Sequence, residues 1–172
     1  MTSQLRFLNP KTISKPPGYT HVVEATGPGR IVYIAGQLGM DVGGKVVGQA
    51  GDFRAQAIQV FENLKDALAE VGATFKDVVK INNYFTDLKQ HLPIFREIRD
   101  MYLGGPNPPA STTIQITALA REGALLETEA VAILPAKTAK PVKAAAAKTR
   151  TKVKTAKKKP QKTASKKKRN RK

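Results

Sequence analysis

The charge of this chain changes abruptly at one position, and that change limits which part of it can fold. Of its 30 Lys and Arg residues, 17 lie between Ala136 and Lys172, a segment without Asp or Glu. The other 13 basic residues equal the chain's 13 acidic residues in number, so positions 1–135 are neutral overall. We therefore predict two regions, a globular domain over residues 1–135 and a disordered, Lys- and Ala-rich basic tail over residues 136–172.

The tail is built mainly from Lys, Ala, Thr and Pro, with Val142 and Val153 as its only larger apolar residues. Its composition resembles the C-terminal domains of linker histones. Seventeen cations without an acid favour salt-sensitive, sequence-independent binding to the phosphates of DNA or RNA. A solubilising role and binding to anionic membrane lipids are the alternatives. The predicted nucleic-acid contacts are Lys157, Lys158, Lys159, Lys166, Lys167, Lys168, Arg169, Arg171 and Lys172.

Several classes of chemistry and location are disfavoured by what the sequence lacks. The absence of cysteine excludes disulfides, thiolate nucleophiles and cysteine-based metal sites. His21 and His91 have no metal-ligand spacing with each other or with a carboxylate cluster, so we predict no metal site. The N-terminus has no basic segment followed by an apolar run, and no window is long enough to span a membrane. We predict a cytoplasmic protein that associates with nucleic acid through its tail.

Residues 1–135 contain both helix and strand patterns. Asp52 is a predicted N-cap, and apolar residues then recur at steps of three and four up to Gly72, which predicts a helix. A second helix is predicted to start between Asp87 and Pro93 and to end before "GGPNPP". Segments rich in β-branched and aromatic residues predict strands at 19–25, 30–37, 77–86, 111–119 and 124–134, with a short strand at "KVV".

The first two predicted strands are separated by "TGPG", which predicts a tight turn between antiparallel neighbours. The small number of helices relative to strands predicts an α+β domain, in which two helices cover one face of a single mixed sheet. The other face would carry Ile114, Ile116, Val131 and Ile133. An uncovered apolar face of this kind predicts an oligomer with its sheets facing inward.

Four segments follow one another in an order that is known from other proteins. They are "GYTHVVEATGPGRIVYIAGQLGMD", "QAIQVFENLKDALAEVGATFKDVVKINNYFTD", "NPPASTTIQITALA" and "LLETEAVAI". Together they resemble the Rid (RidA, or YjgF-like) family of reactive intermediate imine deaminases. The resemblance implies a chorismate-mutase-like fold and a homotrimer with small-molecule sites in the clefts between subunits. It also implies hydrolysis of reactive enamines and imines to 2-keto acids and ammonia, without metal or cofactor.

The same resemblance implies a set of site residues, with one important departure. In the deaminating branch, an arginine in a Pro-Ala-Arg-Ser motif binds the substrate carboxylate, whereas positions 109–112 here read Pro-Ala-Ser-Thr. Ser111 can donate one hydrogen bond but cannot neutralise a carboxylate, which predicts an altered substrate. Glu127 matches the glutamate that positions water and is the predicted catalytic residue. The predicted substrate-binding residues are Tyr19, Ala35, Gly36, Arg99, Ser111 and Thr113.

Two of these positions differ from the usual family residue. Ala35 takes the place of a common serine, beside Gly36, whose backbone faces the ligand in the family. Arg99 stands where the deaminating branch usually has an asparagine, and it could return a cation to the pocket from the second helix.

Each candidate also has a purely structural interpretation. Glu127 and Glu129 could lie on a solvated strand, Tyr19 could pack at an interface, and Arg99 could belong to a charged helix face. The sequence therefore leaves two functions open, a deaminase-type hydrolase and a non-catalytic trimer that binds a small ligand and nucleic acid. Endoribonuclease activity ranks third, because no His pair or metal cluster is present to cleave RNA.

Overall fold

The structure is a computed structural model that describes residues 3–136; the predicted basic tail therefore lies outside the described residues, apart from Ala136. The described part contains six strands, two α-helices and one short 3-10 turn. Neither α-helix is long and apolar enough to cross a membrane. In chain order the elements are β1 (Gln4–Leu8), β2 (Val22–Thr26), β3 (Gly29–Leu38), α1 (Phe53–Glu70), the 3-10 turn (Phe75–Asp77), β4 (Val78–Phe85), α2 (Leu88–Leu103), β5 (Ala110–Gln115) and β6 (Leu126–Pro135).

Four of the strands form a mixed sheet in the order β3-β6-β4-β5. β4 and β5 are parallel, whereas β6 is antiparallel to both of its neighbours, β3 and β4. The last strand of residues 3–136 is therefore a central strand of the sheet. The predicted α+β class, with a mixed sheet and two helices, is confirmed.

The predicted antiparallel pairing of segments 19–25 and 30–37 is wrong. β2 pairs with β1, so that Leu8 lies opposite Val22, and β3 pairs with β6. The strands consequently form a two-stranded and a four-stranded sheet instead of a single sheet. Turn residues specify where the chain can reverse, but they do not specify which strand pairs with which. β2 pairs with β1, a strand that the sequence pattern did not reveal. The strand expected at "KVV" is reduced to one bridge between Met40 and Val46.

Both helices cover the same face of the four-stranded sheet. They begin after Asp52 and Asp87, each of which accepts a hydrogen bond from the backbone amide three residues further on. These caps satisfy amides that have no partner within the helix. Asp52 agrees with the predicted N-cap, and Asp87 lies at the start of the range predicted for the beginning of the second helix. The helices pack on the sheet through aromatic contacts, in which Phe85 of β4 meets Phe53 of α1 and Phe95 of α2 with ring centroids 5.7 and 5.1 Å away.

The other face of the four-stranded sheet carries apolar side chains that remain accessible. Tyr33 of β3 is 79% exposed and Ile114 of β5 is 43% exposed. Val131 and Ile133 of β6 are partly buried on this face. The sequence prediction of an apolar open face is thus confirmed for Ile114, Val131 and Ile133, whereas Ile116 lies beyond the end of β5. We call this surface the open face.

A buried amide joins three strands on the helix-covered side of the sheet. Asn83 of β4 is 0% exposed. Its Oδ1 accepts a hydrogen bond from the Thr128 hydroxyl of β6 at 3.1 Å. Its Nδ2 lies 3.2 Å from Ser111 Oγ and 3.1 Å from Thr113 Oγ1, both on β5. Because a buried amide is costly unless its donors and acceptors are satisfied, this network fixes how β5 is held beside β4.

Replacing Asn83 with Ala should lower the free energy of unfolding by about 2–4 kcal/mol, because the change leaves a cavity and buried hydroxyls without their partner. Urea unfolding followed by circular dichroism measures the loss. Asn82→Ala is the matched control, since Asn82 lies on the open face and hydrogen-bonds only Glu129 there; about 1 kcal/mol is expected. Equal losses for the two variants would contradict the structural role assigned to Asn83.

Candidate functional site

Four of the predicted site residues lie around one cleft. Tyr19, Arg99, Ser111 and Thr113 line a cavity of about 270 Å³ between α2, β5 and the loop before β2. We call this cavity the α2–β5 cleft. The other residues that line it are Pro17, Leu88, Leu92 and Arg96.

The floor of the α2–β5 cleft presents two oriented hydroxyl groups. Ser111 and Thr113 are two positions apart on β5 and therefore point to the same side of the sheet. Asn83 Nδ2 lies 3.1 Å from the Thr112 carbonyl, an oxygen that can only accept, so the NH2 group faces β5. Its two N–H groups are shared among this carbonyl and the hydroxyl oxygens of Ser111 and Thr113. A hydroxyl that already accepts a hydrogen bond still has its own proton to donate. The pair is therefore arranged to donate to an oxygen atom of a ligand.

The loop that carries Tyr19 is tied to the start of β5. The Thr20 hydroxyl donates to the carbonyl of Pro108 at 2.5 Å, and its amide donates to the carbonyl of Pro109 at 3.1 Å. Thr20 itself is 1% exposed. These two bonds hold the loop, and with it the Tyr19 ring, at the edge of the cleft.

Arg99 enters the cleft from α2 and is almost buried, with a side chain that is 9% exposed. Its Nε and Nη2 donate to a single oxygen of Asp100 at 2.9 and 2.7 Å. Gly18 lies against the guanidinium with a φ of +83°, and a Cβ at that position would be 3.1 Å from Arg99 Cζ and would overlap Nη2. Glycine at position 18 thus provides both the backbone conformation and the space that the buried cation needs.

Arg96 is a member of the cleft that the sequence prediction missed. It lies three residues before Arg99 on α2, and residues at this spacing share a helix face. This spacing is the sequence signal for Arg96, because a basic residue three positions before Arg99 lies on the same side of the helix.

The predicted catalytic residue lies elsewhere in the chain's own fold. Glu127 of β6 points to the open face, whereas Ser111 and Thr113 point to the helix-covered face, so the sheet separates them within one chain. Glu127 instead lies against Gly36. A Cβ at position 36 would be 2.6 Å from Glu127 Cδ and 2.8 Å from its Cγ, so only glycine leaves room for this carboxylate.

A β-bulge in β3 creates the contact between Gly36 and Glu127. The pairing with β6 shifts by one residue between Ile34 and Gln37, which places Ala35 and Gly36 in the irregular stretch. Such bulges change the direction of nearby side chains. Ala35 lines a separate depression of about 510 Å³ on the open face, with Tyr33 and Lys80 among its neighbours.

Two glutamates on β6 have different surroundings on the open face. Glu129 Oε1 accepts hydrogen bonds from Asn82 Nδ2 at 2.7 Å and from the Tyr84 hydroxyl at 3.0 Å. The bond to Glu129, together with burial, raises the pKa of Tyr84 above its usual value. Glu127 has no side-chain hydrogen bond within residues 3–136. Of the two, Glu127 therefore has the carboxylate that is free to act on a water molecule.

The remaining titratable groups show no grouping for metal binding in the described part of the chain. No three His, Asp or Glu side chains converge between residues 3 and 136. His91 is buried and stacks on Phe53 with ring centroids 4.3 Å apart, and burial lowers its pKa. His21 Nε2 donates to the Ser14 carbonyl at 2.8 Å. The two histidines are thus engaged separately.

Known proteins resemble this chain in sequence and in fold. Protein DfrA of Myxococcus xanthus is 36% identical over 115 residues, which span 67% of this chain and 84% of that protein. The 2-iminobutanoate/2-iminopropanoate deaminase of Rattus norvegicus is 34% identical over 105 residues, 60% of this chain and 73% of the enzyme. The crystal structure of the Rid family protein YyfB from Yersinia pestis matches with a TM-score of 0.67 at 36% identity, and the match covers 76% of this chain and 98% of that one.

A family model covers most of the described part of the chain. It is the model for Endoribonuclease L-PSP, and it matches residues 12–134, from the loop after β1 to the end of β6. The four sequence segments that resemble Rid proteins all lie within this range. The chain therefore belongs to the Ribonuc_L-PSP family, to which the RidA and YjgF proteins belong.

Proposed function

We propose that this protein is a cofactor-free hydrolase of the imine and enamine deaminase type, with an altered substrate and with a basic tail that tethers it to nucleic acid. The observation that carries the proposal is the presence of Arg99 in the same cleft as Ser111. A cation there can bind the carboxylate that Ser111, standing in the place of the family's arginine, cannot neutralise. The names of deaminases from Rattus norvegicus and Dermatophagoides farinae among its relatives support the reaction class.

The separation of Glu127 from the α2–β5 cleft supports a site shared between subunits. Within one chain the two lie on opposite faces of the sheet, so a substrate held by Arg99 requires Glu127 from a neighbouring copy. We propose a homotrimer in which the open faces meet and each cleft lies at a subunit boundary. The exposed Tyr33 and Ile114 support this assembly, because a monomer would leave them in water.

In the proposed reaction, water adds to the imine carbon of a 2-imino acid. Glu127 accepts a proton from that water as the C–O bond forms and then returns it to the nitrogen. The hydroxyl of this carbinolamine then gives its proton to the nitrogen, the C–N bond breaks, ammonia leaves, and the carbonyl of the 2-keto acid forms. One imino acid and one water thus give one keto acid and one ammonia, while Ser111 and Thr113 donate hydrogen bonds to the substrate.

A second candidate is a non-catalytic trimer that binds a small ligand. The pairing of Arg99 with Asp100 favours it, because a cation that is already partly neutralised holds a carboxylate less strongly. Endoribonuclease activity is the least favoured function. His91 is buried against Phe53 and His21 contacts Ser14, so the two histidines do not form a catalytic pair.

The tail of residues 136–172 is proposed to bind DNA or RNA through counterion release. It has 17 basic residues and no aromatic residue, so binding would not distinguish bases. In a trimer three tails belong to one particle, and weak contacts by each tail would combine through effective concentration.

Glu127→Gln should lower the rate of ammonia release from imines generated in solution by about 100-fold or more, since it removes the proton acceptor. Arg99→Gln should chiefly raise KM. Glu122→Gln, an exposed change outside the α2–β5 cleft, is the control. Wild-type activity in Glu127→Gln would contradict the proposal. Activity that appears only in Ser111→Arg would instead support the non-catalytic candidate.

Light scattering after size-exclusion chromatography should give the mass of three chains. Tyr33→Glu should dissociate the particle, because the proposed interface would then bury three carboxylates. Met101→Glu changes another exposed apolar residue, 72% accessible on α2, and should leave the mass unchanged. A monomeric wild type would rule out the shared site.

The full chain should bind a 30-base-pair duplex with an affinity that falls steeply with salt, by about 0.9 in log K per log unit of salt for each phosphate contacted. A chain truncated after residue 136 should lose that binding. Anionic vesicles measured in the same way test the lipid alternative. Equal affinities of the full and truncated chains for the duplex would refute the tether.

A further inference from the structure

We infer that the α2–β5 cleft selects ligands with two carboxylates, so that the substrate is a 2-imino dicarboxylate and the product a 2-keto dicarboxylate. The inference rests on the proposed function for the reaction, but its recognition step concerns Arg96, to which the resemblance assigns no role. Arg96 is the specificity-determining residue, and it contacts the carboxylate distant from the reacting carbon.

Lys89 and Arg96 are the basic residues of α2 without an ion pair in the described part of the chain, and of these two only Arg96 lines the cleft. Glu97 pairs with Arg54 of α1 at 2.5 Å, and Asp100 pairs with Arg99 at 2.7 Å. Arg96 has neither an ion pair nor a side-chain hydrogen bond within residues 3–136. The neighbouring acids that could neutralise it are therefore already paired.

Arg96 and Arg99 line the same small cavity and offer two separate positions for negative charge. Arg99 packs against Gly18, in the loop that Thr20 ties to the carbonyls just before Ser111, so this end suits the carboxylate next to the imine carbon. Arg96 lies three residues earlier on α2, towards the N-terminal part of the helix. A guanidinium binds a carboxylate through parallel hydrogen bonds, which makes a second carboxylate its natural ligand.

The remaining walls suit the carbon chain between the two carboxylates. Leu88 and Leu92 are partly buried and line the cleft on the same side of α2. The volume of about 270 Å³ lies below the range of roughly 300–1,000 Å³ that is usual for drug-sized ligands. A short dicarboxylate with a few methylene groups matches both features.

Binding of keto-acid products to the full-length protein tests the inference without requiring turnover. By isothermal titration calorimetry, 2-oxoglutarate should bind about tenfold or more tightly than 2-oxopentanoate, which has the same carbon chain but one carboxylate. Arg96→Gln should remove this preference, chiefly by lowering the affinity for 2-oxoglutarate. Arg121→Gln, an exposed change outside the cleft, should keep the preference.

Equal affinity of the wild type for the two acids would overturn the inference, and so would a preference that persists in Arg96→Gln. The inference would also be overturned if inorganic phosphate displaced 2-oxoglutarate more strongly than succinate does, because that result would indicate a phosphate site. Measuring ammonia release distinguishes failure of the dicarboxylate inference from failure of the proposed function. Equal turnover of the imines of glutamate and norvaline refutes only the dicarboxylate preference, whereas a diacid preference without turnover of either imine refutes only the deaminase.

Discussion

The hydrogen bonds of one buried amide connect the sheet to the candidate site. Asn83 accepts from Thr128 on one side and donates towards Ser111 and Thr113 on the other, so β6, β4 and β5 are linked across the helix-covered face. The Thr112 carbonyl can only accept, so it decides which way the amide points. With the NH2 group facing β5, the hydroxyls of Ser111 and Thr113 keep their protons for a ligand. A single polar side chain inside the core therefore contributes to stability and also determines the chemistry of the cleft floor.

The elements that depend on local pattern were predictable from the sequence. The helix cap at Asp52, and the existence of the second helix and of the later strands, follow from capping chemistry and from periodicity, which act over a few residues. The pairing of β2 with β1 did not follow, because strand pairing is decided by contacts between distant segments. β1 is only five residues long and has a weak pattern, so nothing local distinguished it from a loop.

The residues of the candidate site likewise fall into those that the sequence predicts and those that only the fold reveals. The cluster of Tyr19, Arg99, Ser111 and Thr113 was predicted as a set through resemblance, and the fold brings these residues to one cavity. Arg96 was missed because a charged residue on a helix is usually solvated, and only the position of the cleft gives it a role. The space for Glu127 beside Gly36 depends on a bulge in β3, which the sequence pattern did not predict.

The place of β6 at the centre of the sheet has a consequence for how the chain folds. β3 and β4 are synthesised early, yet β3 has no partner in the four-stranded sheet, and β4 can pair only with β5, until residues 126–135 are available. Until then both strands have unpaired edges, and the contacts that complete the sheet join segments about a hundred positions apart, such as Gly29 and Pro135. Folds dominated by such distant pairings form slowly and are exposed to aggregation in the meantime. Substitutions near the end of β6 should thus impair the yield of folded protein more than their effect on the finished structure suggests.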